Sequence, residues 1–252
     1  MKNITIVLVL FLVIGNLTAQ DYTHSLQGVK KVKIYSSPGV TLKAYSKNEL
    51  LIKGGNHIQR PEKAKGLKAI YSGGTDNTGI GIYIKKENDI LVLKNLRSMH
   101  GPSIEISLPK DINVSIENQG VSNLSISGFS SEIEAKTKVG KIEITDVTGP
   151  IVAKSSAGGI NIIFDKVNQS SPISIISSAG DVDITLPSDT PANLSLKATM
   201  GEIYTDFDLK IPSDENDMKV VGGRRSIISK INNGGVDIAL RSSVGNIYLR
   251  KK

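Results

Sequence analysis

A twelve-residue unit recurs five times in the second half of the chain: IEAKTKVGKIEI at residues 133–144, IVAKSSAGGINI at 151–162, ISIISSAGDVDI at 173–184, LSLKATMGEIYT at 194–205 and IALRSSVGNIYL at 238–249. Places one, three, ten and twelve are apolar in every copy apart from Thr205, and place five is Ser, Thr or Ala. Place eight is always glycine: Gly140, Gly158, Gly180, Gly201 and Gly245. Apolar residues two apart mark strands, and a unit of this length made only of strands cannot bury a face alone, so its copies must stack on one another. The copies start 18, 22, 21 and 44 residues apart. That spacing implies an all-β fold, a β-solenoid with coils of 18–22 residues, whose long last step holds a degenerate or swollen coil.

Within a unit, places one, three and five point inward, the glycine at place eight permits a corner or a close backbone approach, and places ten and twelve begin the next inward face. The apolar place-seven residues, Val139, Ala157, Ala179, Met200 and Val244, are expected to fill that corner. Place four points away from the core. Its occupants are Lys136, Lys154, Ile176, Lys197 and Arg241, so four of five are cations in register. Stacked like charges repel, a cost that a polyanion or neighbouring acids such as Glu134 would offset. An edge-protected, solvated lysine face accounts for the same pattern without a ligand.

An imperfect copy begins at Val114, so the clear repeats run over residues 114–252, with a less regular part over 20–110. That earlier part still alternates, as in Val32 and Ile34, Val40 and Leu42, Ile80, Ile82 and Ile84, and Ile104, Ile106 and Leu108. Only RPEKAKGL (60–67) tolerates a helix, which Gly66 limits to a turn or two. Residues 1–19 have the form of an export signal: Lys2, an apolar run from Ile4 to Ile14, then Leu17-Thr18-Ala19. The expected organisation is a signal peptide (1–19) followed by one elongated solenoid domain (20–252), with no transmembrane segment after cleavage. The run is short for a membrane span, an uncleaved N-terminal anchor being the other reading of it, and export implies a periplasmic, outer-surface or extracellular address.

The chain has no cysteine, which excludes disulfides, thiol catalysis and cysteine-held zinc. A net charge of +7, of which Lys2 is one, permits attraction to polyanions. For an exported chain that means anionic glycan or an envelope surface, and no nucleic-acid motif is present. Aromatic content of 4% without tryptophan argues against aromatic platforms for sugars.

Catalysis needs convergent polar groups. His24, His57 and His100 are scattered outside the repeats, and nucleophile-elbow, zinc-helix and phosphate-loop motifs are lacking. Asp181 and Asp183 stand two apart on one outward face, and simple stacking would set Glu202 beside Asp181. Such carboxylates could carry raised pKa values or a cation, but no histidine or tyrosine partners them. The acidic run Asp206, Asp208, Asp214, Glu215 and Asp217 lacks the ligand order of a calcium loop. No catalytic residue, metal site or cofactor is expected.

The export signal, the opening VKIYSSPGVTLKAYSKNELLIKG, the segment AKGLKAIYSGGTDNTGIGIYI (64–84) and the closing INNGGVDIALRSSVGNIYLRK together resemble the bacterial adhesin-like family of β-strand-repeat proteins, relatives of the head GIN domain. The resemblance spans the mature chain, with Asp76-Asn77-Thr78-Gly79 and the closing segment from Gly234-Gly235 to Gly245-Asn246-Ile247-Tyr248 its distinctive stretches. It implies a single-stranded parallel β-helix and a non-enzymatic role at the cell surface or envelope. The long loops at 59–78 and 206–225 are available for specificity. Two other functions fit a β-helix: an enzyme acting on acidic polysaccharides, and a structural envelope component that self-associates.

Overall fold

The computed structural model describes residues 21–53, 62–67, 70–209 and 225–252, and the export signal lies outside them. The described residues form twenty strands and one 3-10 turn, Glu62–Ala64, within the stretch whose sequence tolerates a helix. The first seven strands are β1 (Tyr22–Ser25), β2 (Lys31–Ser36), β3 (Val40–Tyr45), β4 (Glu49–Ile52), β5 (Ile82–Glu87), β6 (Ile90–Asn95) and β7 (Ile104–Pro109). The repeats supply β8 (Asn113–Val121), β9 (Leu124–Ser127), β10 (Ile133–Val139), β11 (Ile142–Val147), β12 (Ile151–Ala157), β13 (Ile160–Phe164), β14 (Ile173–Ala179) and β15 (Val182–Leu186). The chain closes with β16 (Ala192–Met200), β17 (Ile203–Thr205), β18 (Arg225–Ile231), β19 (Val236–Val244) and β20 (Ile247–Lys251).

These strands make two ten-stranded sheets. One runs β1-β4-β7-β3-β9-β11-β13-β15-β20-β17, the other β18-β16-β19-β14-β12-β10-β8-β2-β6-β5. Each twelve-residue unit lays one strand in the second sheet, turns at its glycine and lays the next in the first, so the molecule is a β-solenoid. Copies pair in parallel and in repeat register: Ile133 opposes Ile151 and Ala135 opposes Ala153 in one sheet, while Ile142 opposes Ile160 in the other. The inward places of both sheets share one apolar core.

The order of coils departs from the order of the sequence at both ends. β19 lies between β14 and β16, and β20 between β15 and β17, so the last copy is inserted between two that precede it. The 44-residue step is therefore an excursion that holds the antiparallel strand β18, which covers β16, and not a swollen coil. At the other end β2 sits between β6 and β8, and β3 between β7 and β9. There β5 covers β6, and β4 with β1 covers β7, all antiparallel. Antiparallel covers satisfy edge groups that would otherwise recruit another chain.

Two corners close each coil, and they differ chemically. At the glycine corner the coils approach so closely that a Cβ on Gly158 would lie 2.2 Å from the carbonyl oxygen of Gly140. Gly158 and Gly180 both take φ of 141°, a region open to glycine. Nothing fits beneath this corner, so the place-seven residues point outward, against the sequence expectation: Val139, Met200 and Val244 are exposed. The interior of the corner is closed instead by place five, where Thr137, Ser155, Ser177 and Ser242 are buried. Ser177 Oγ donates to the carbonyl of Gly158 at 3.1 Å and Ser242 Oγ to that of Gly180 at 3.0 Å, whereas Ser155 Oγ is buried with no partner. Ser177→Ala is expected to lower stability by about 1 kcal/mol and Ser155→Ala to leave it within about 0.5 kcal/mol, since only the first removes a hydrogen bond. Equal melting temperatures for the two variants would refute that assignment.

The opposite corner is filled by large apolar side chains. Val147, Phe164 and Leu186 end first-sheet strands, Phe129 and Phe207 follow theirs two residues on, and all five are buried. In the inserted coil Lys251 takes this place, its Nζ 5.4 Å from the centre of the Phe207 ring.

Candidate functional site

The outward face of the second sheet carries the place-four residues. Register sets Lys136 beside Lys154, Lys154 beside Ile176, Ile176 beside Arg241 and Arg241 beside Lys197. The strands space these neighbours about 4.8 Å apart. Lys136, Lys154 and Arg241 are exposed and Lys197 half-buried. The insertion of the last coil changes their order but not their continuity: two pairs of cations flank one isoleucine.

The four cations are not equivalent. Lys136 reaches Glu134 on its own strand, and that ammonium, aided by the Ser115 hydroxyl and against partial burial, holds the Glu134 carboxyl below its usual range. Hydrogen bonding and attraction from Glu134 in turn raise the Lys136 pKa. Lys154, Lys197 and Arg241 have no ion-pair partner among the described residues. Two like charges at coil spacing repel by under about 1 kcal/mol in water, so the fold tolerates the row while leaving three cations available.

Beyond Lys136 the same row continues through Glu117, Tyr35 and Lys94. Sequence reading missed this extension. The alternation of KVKIYS and ILVLKN does place Tyr35 and Lys94 outward, but nothing in either stretch says which coil each joins.

The carboxylates on the first sheet are engaged. Asp183 accepts two hydrogen bonds from Arg250, at 2.7 Å and 3.0 Å, and Asp181 accepts the backbone N–H of Asn246 at 2.7 Å. Glu202 does not neighbour Asp181, because Asn246 lies between them and accepts the Glu202 N–H at 2.9 Å. In the acidic run, Asp206 accepts the Lys251 N–H and Asp208 pairs with Lys251 at 3.8 Å; Asp214, Glu215 and Asp217 lie outside the described residues. His24 and His100 sit far apart in the chain, on β1 and in an exposed turn, and His57 lies outside the described residues. No cluster of metal-ligating side chains occurs among the described residues.

Low aromatic content does not keep the tyrosines apart. Tyr204 and Tyr248, both place eleven of their copies, stack with ring centres 5.4 Å apart, and Arg250 lies 5.2 Å from the Tyr248 ring centre. Asp76-Asn77-Thr78-Gly79 forms a structural turn. The Asp76 carboxylate accepts the N–H groups of Thr78, Gly79 and Gly81, which together outweigh partial burial and hold its pKa down.

The family model described as Toastrack DUF4097 matches residues 118–250, more than half of the chain. The chain belongs to the Toastrack family. The matched span runs from the end of β8 to β20 and so holds the glycine corners and all four row cations of the Toastrack solenoid. No curated protein matches the sequence. Among solved structures, a candidate cell adhesion protein from Clostridium sporogenes aligns at 11% identity with a TM-score of 0.48, covering 92% of this chain and 99% of that one. A candidate adhesin from Bacteroides fragilis aligns at 15% identity with a TM-score of 0.41, covering 92% and 96%. No helix among the described residues of the Toastrack chain is long and apolar enough to cross a membrane.

Proposed function

We propose that this Toastrack chain is an exported, non-enzymatic, adhesin-like protein of the cell surface or envelope, and that it binds anionic glycan through the basic row on its second sheet. One observation carries the reading: Lys154, Arg241 and Lys197 stand in register on a rigid face without ion-pair partners among the described residues. A polyanion laid across the strands would meet a cation at most coils, and a solenoid supplies that spacing without ordering any loop. The surface address is supported by the export-type N-terminus and by the family resemblance. The engagement of Asp181 and Asp183 by Asn246 and Arg250 weighs against a carboxylate-based polysaccharide enzyme.

Binding of the mature chain to a polyuronate, followed against salt, tests this. Affinity is expected to fall steeply between about 0.05 and about 0.5 M salt. The double variant Lys154→Glu with Lys197→Glu is expected to bind about tenfold more weakly. Lys110→Glu with Lys166→Glu changes net charge equally but lies at turns off the row, and should lose far less. Equal losses in both pairs would reduce the row to a general charge effect and remove the proposal.

A further inference from the structure

A groove of about 570 Å³ lies on the outer face of the second sheet at its N-terminal end, over β2 and β6. We propose that it is a binding site for an acidic sugar, a hexuronate unit of a short oligosaccharide. This rests on the anionic-glycan reading above, since it assigns where one unit of that glycan is held, but the groove shares no residue with the four row cations. Its size lies within the range of small-ligand sites.

The groove is built by register. β2 and β6 set Lys33 beside Val92 and Tyr35 beside Lys94, so two cations, one aromatic ring and one aliphatic side chain alternate on a single patch of sheet. Val92 points outward yet is only 8% exposed, which makes it an apolar floor beneath longer neighbours. Lys33 has no ion-pair partner among the described residues, and Lys94 has only the Tyr83 ring, 6.0 Å from its Nζ. The Tyr35 hydroxyl also has no hydrogen-bond partner among them. Glu87 lines the rim but is tied to Lys85 at 2.9 Å; Lys85 first, then Lys94 and Lys33, keep its carboxyl below the usual range, so it remains an acceptor. Gln119 adds a side-chain amide from β8, its Nε2 donating to Glu117 Oε1 at 2.9 Å.

That set of groups matches one ligand chemistry. A hexuronate has a carboxylate for Lys33 and Lys94, a C–H face for Tyr35 and Val92, and hydroxyls for Glu87, Gln119 and the tyrosine hydroxyl. Inorganic phosphate would use the two lysines but gain nothing from the apolar floor. A neutral sugar would use the floor but leave both ammoniums unmatched.

The test uses the mature chain and an oligogalacturonate of about three units, too short to span the row. Calorimetric binding is expected, with about tenfold loss when the oligomer is methyl-esterified and a similar loss in Lys33→Gln with Lys94→Gln. Tyr35→Phe tests the hydroxyl without removing the ring and should weaken binding a few-fold. The Lys154→Glu with Lys197→Glu variant should bind the short oligomer within about twofold of the parent, because those residues lie outside the groove. Equal binding of the ester, undiminished binding by the Lys33/Lys94 variant, or displacement by phosphate at equal concentration would each overturn the groove. Polymer binding that is lost with the row variant while the short oligomer never binds would overturn the groove alone and leave the row standing. Short-oligomer binding that persists while polymer binding ignores the row variant would do the reverse.

Discussion

Gly158→Ala is expected to lower stability by about 4 kcal/mol or more. The added Cβ would sit 2.2 Å from the carbonyl oxygen of Gly140 and 2.6 Å from its carbonyl carbon. Neither atom belongs to a side chain that can swing aside. Relief therefore requires the two coils to part, and parting them breaks the hydrogen bonds that join them around this corner, Gly140 N to Ala157 O at 2.8 Å and Ile142 N to Gly159 O at 3.1 Å. The substitution also places a β-carbon at φ of 141°. Gly66 provides the contrast: its φ is also positive, at 80°, but a Cβ there would meet nothing within 4 Å. Gly66→Ala should cost only the local strain, about 1–2 kcal/mol. In calorimetric melts the Gly158 variant should fall by about 10 °C or more and the Gly66 variant by a few degrees. Similar melting temperatures for the two would mean that the glycine corner does not couple the coils.

The second large effect is expected at the opposite corner. Phe164→Ala should cost about 3–5 kcal/mol, the range for emptying a buried aromatic site. Phe164 is wholly buried, ends β13 and lies in register with Val147 of the coil before it. A strand ladder on each side fixes the backbone, so the cavity cannot collapse by moving a helix or a loop inward. Phe164→Leu keeps most of the volume and should cost less than about 1.5 kcal/mol. If alanine and leucine destabilised alike, the corner would be relaxing around the hole and the column would not be the spacer between the two sheets.

What could be read from the sequence was whatever repeats in every coil. Ile133, Ile151 and Ile173 align by pattern, and the same alignment is the strand register, because each coil offers its backbone to the next in the same way. For that very reason the order of coils was not legible. The residues at 238–249 fit beside β14 as well as the residues at 194–205 do, and nothing local says that the later copy takes the inner position. The phenylalanine corner was missed because Phe129, Val147, Phe164 and Leu186 differ in identity and in offset. At Val147 the offset comes from a register shift around Asp146, whose φ is 55°. Place seven was misread by carrying a two-residue alternation through a glycine bend where alternation ends. The row of cations was legible in its members, but its continuation into Tyr35 and Lys94 depended on β2 and β6 lying side by side, a pairing set by the out-and-back path of the N-terminal strands.

That path has a mechanical side. β20, the last strand, is clamped between β15 and β17, whereas β1, the first described strand, is held by β4 alone. Tension applied through Lys252 must load two parallel ladders at once, while tension through Asp21 loads one edge ladder. The molecule therefore has a strong grip and a weak one. A tether at the C-terminal side would share force between the ladders to β15 and β17, and a tether at the N-terminal side would begin to peel strands from the opposite rim.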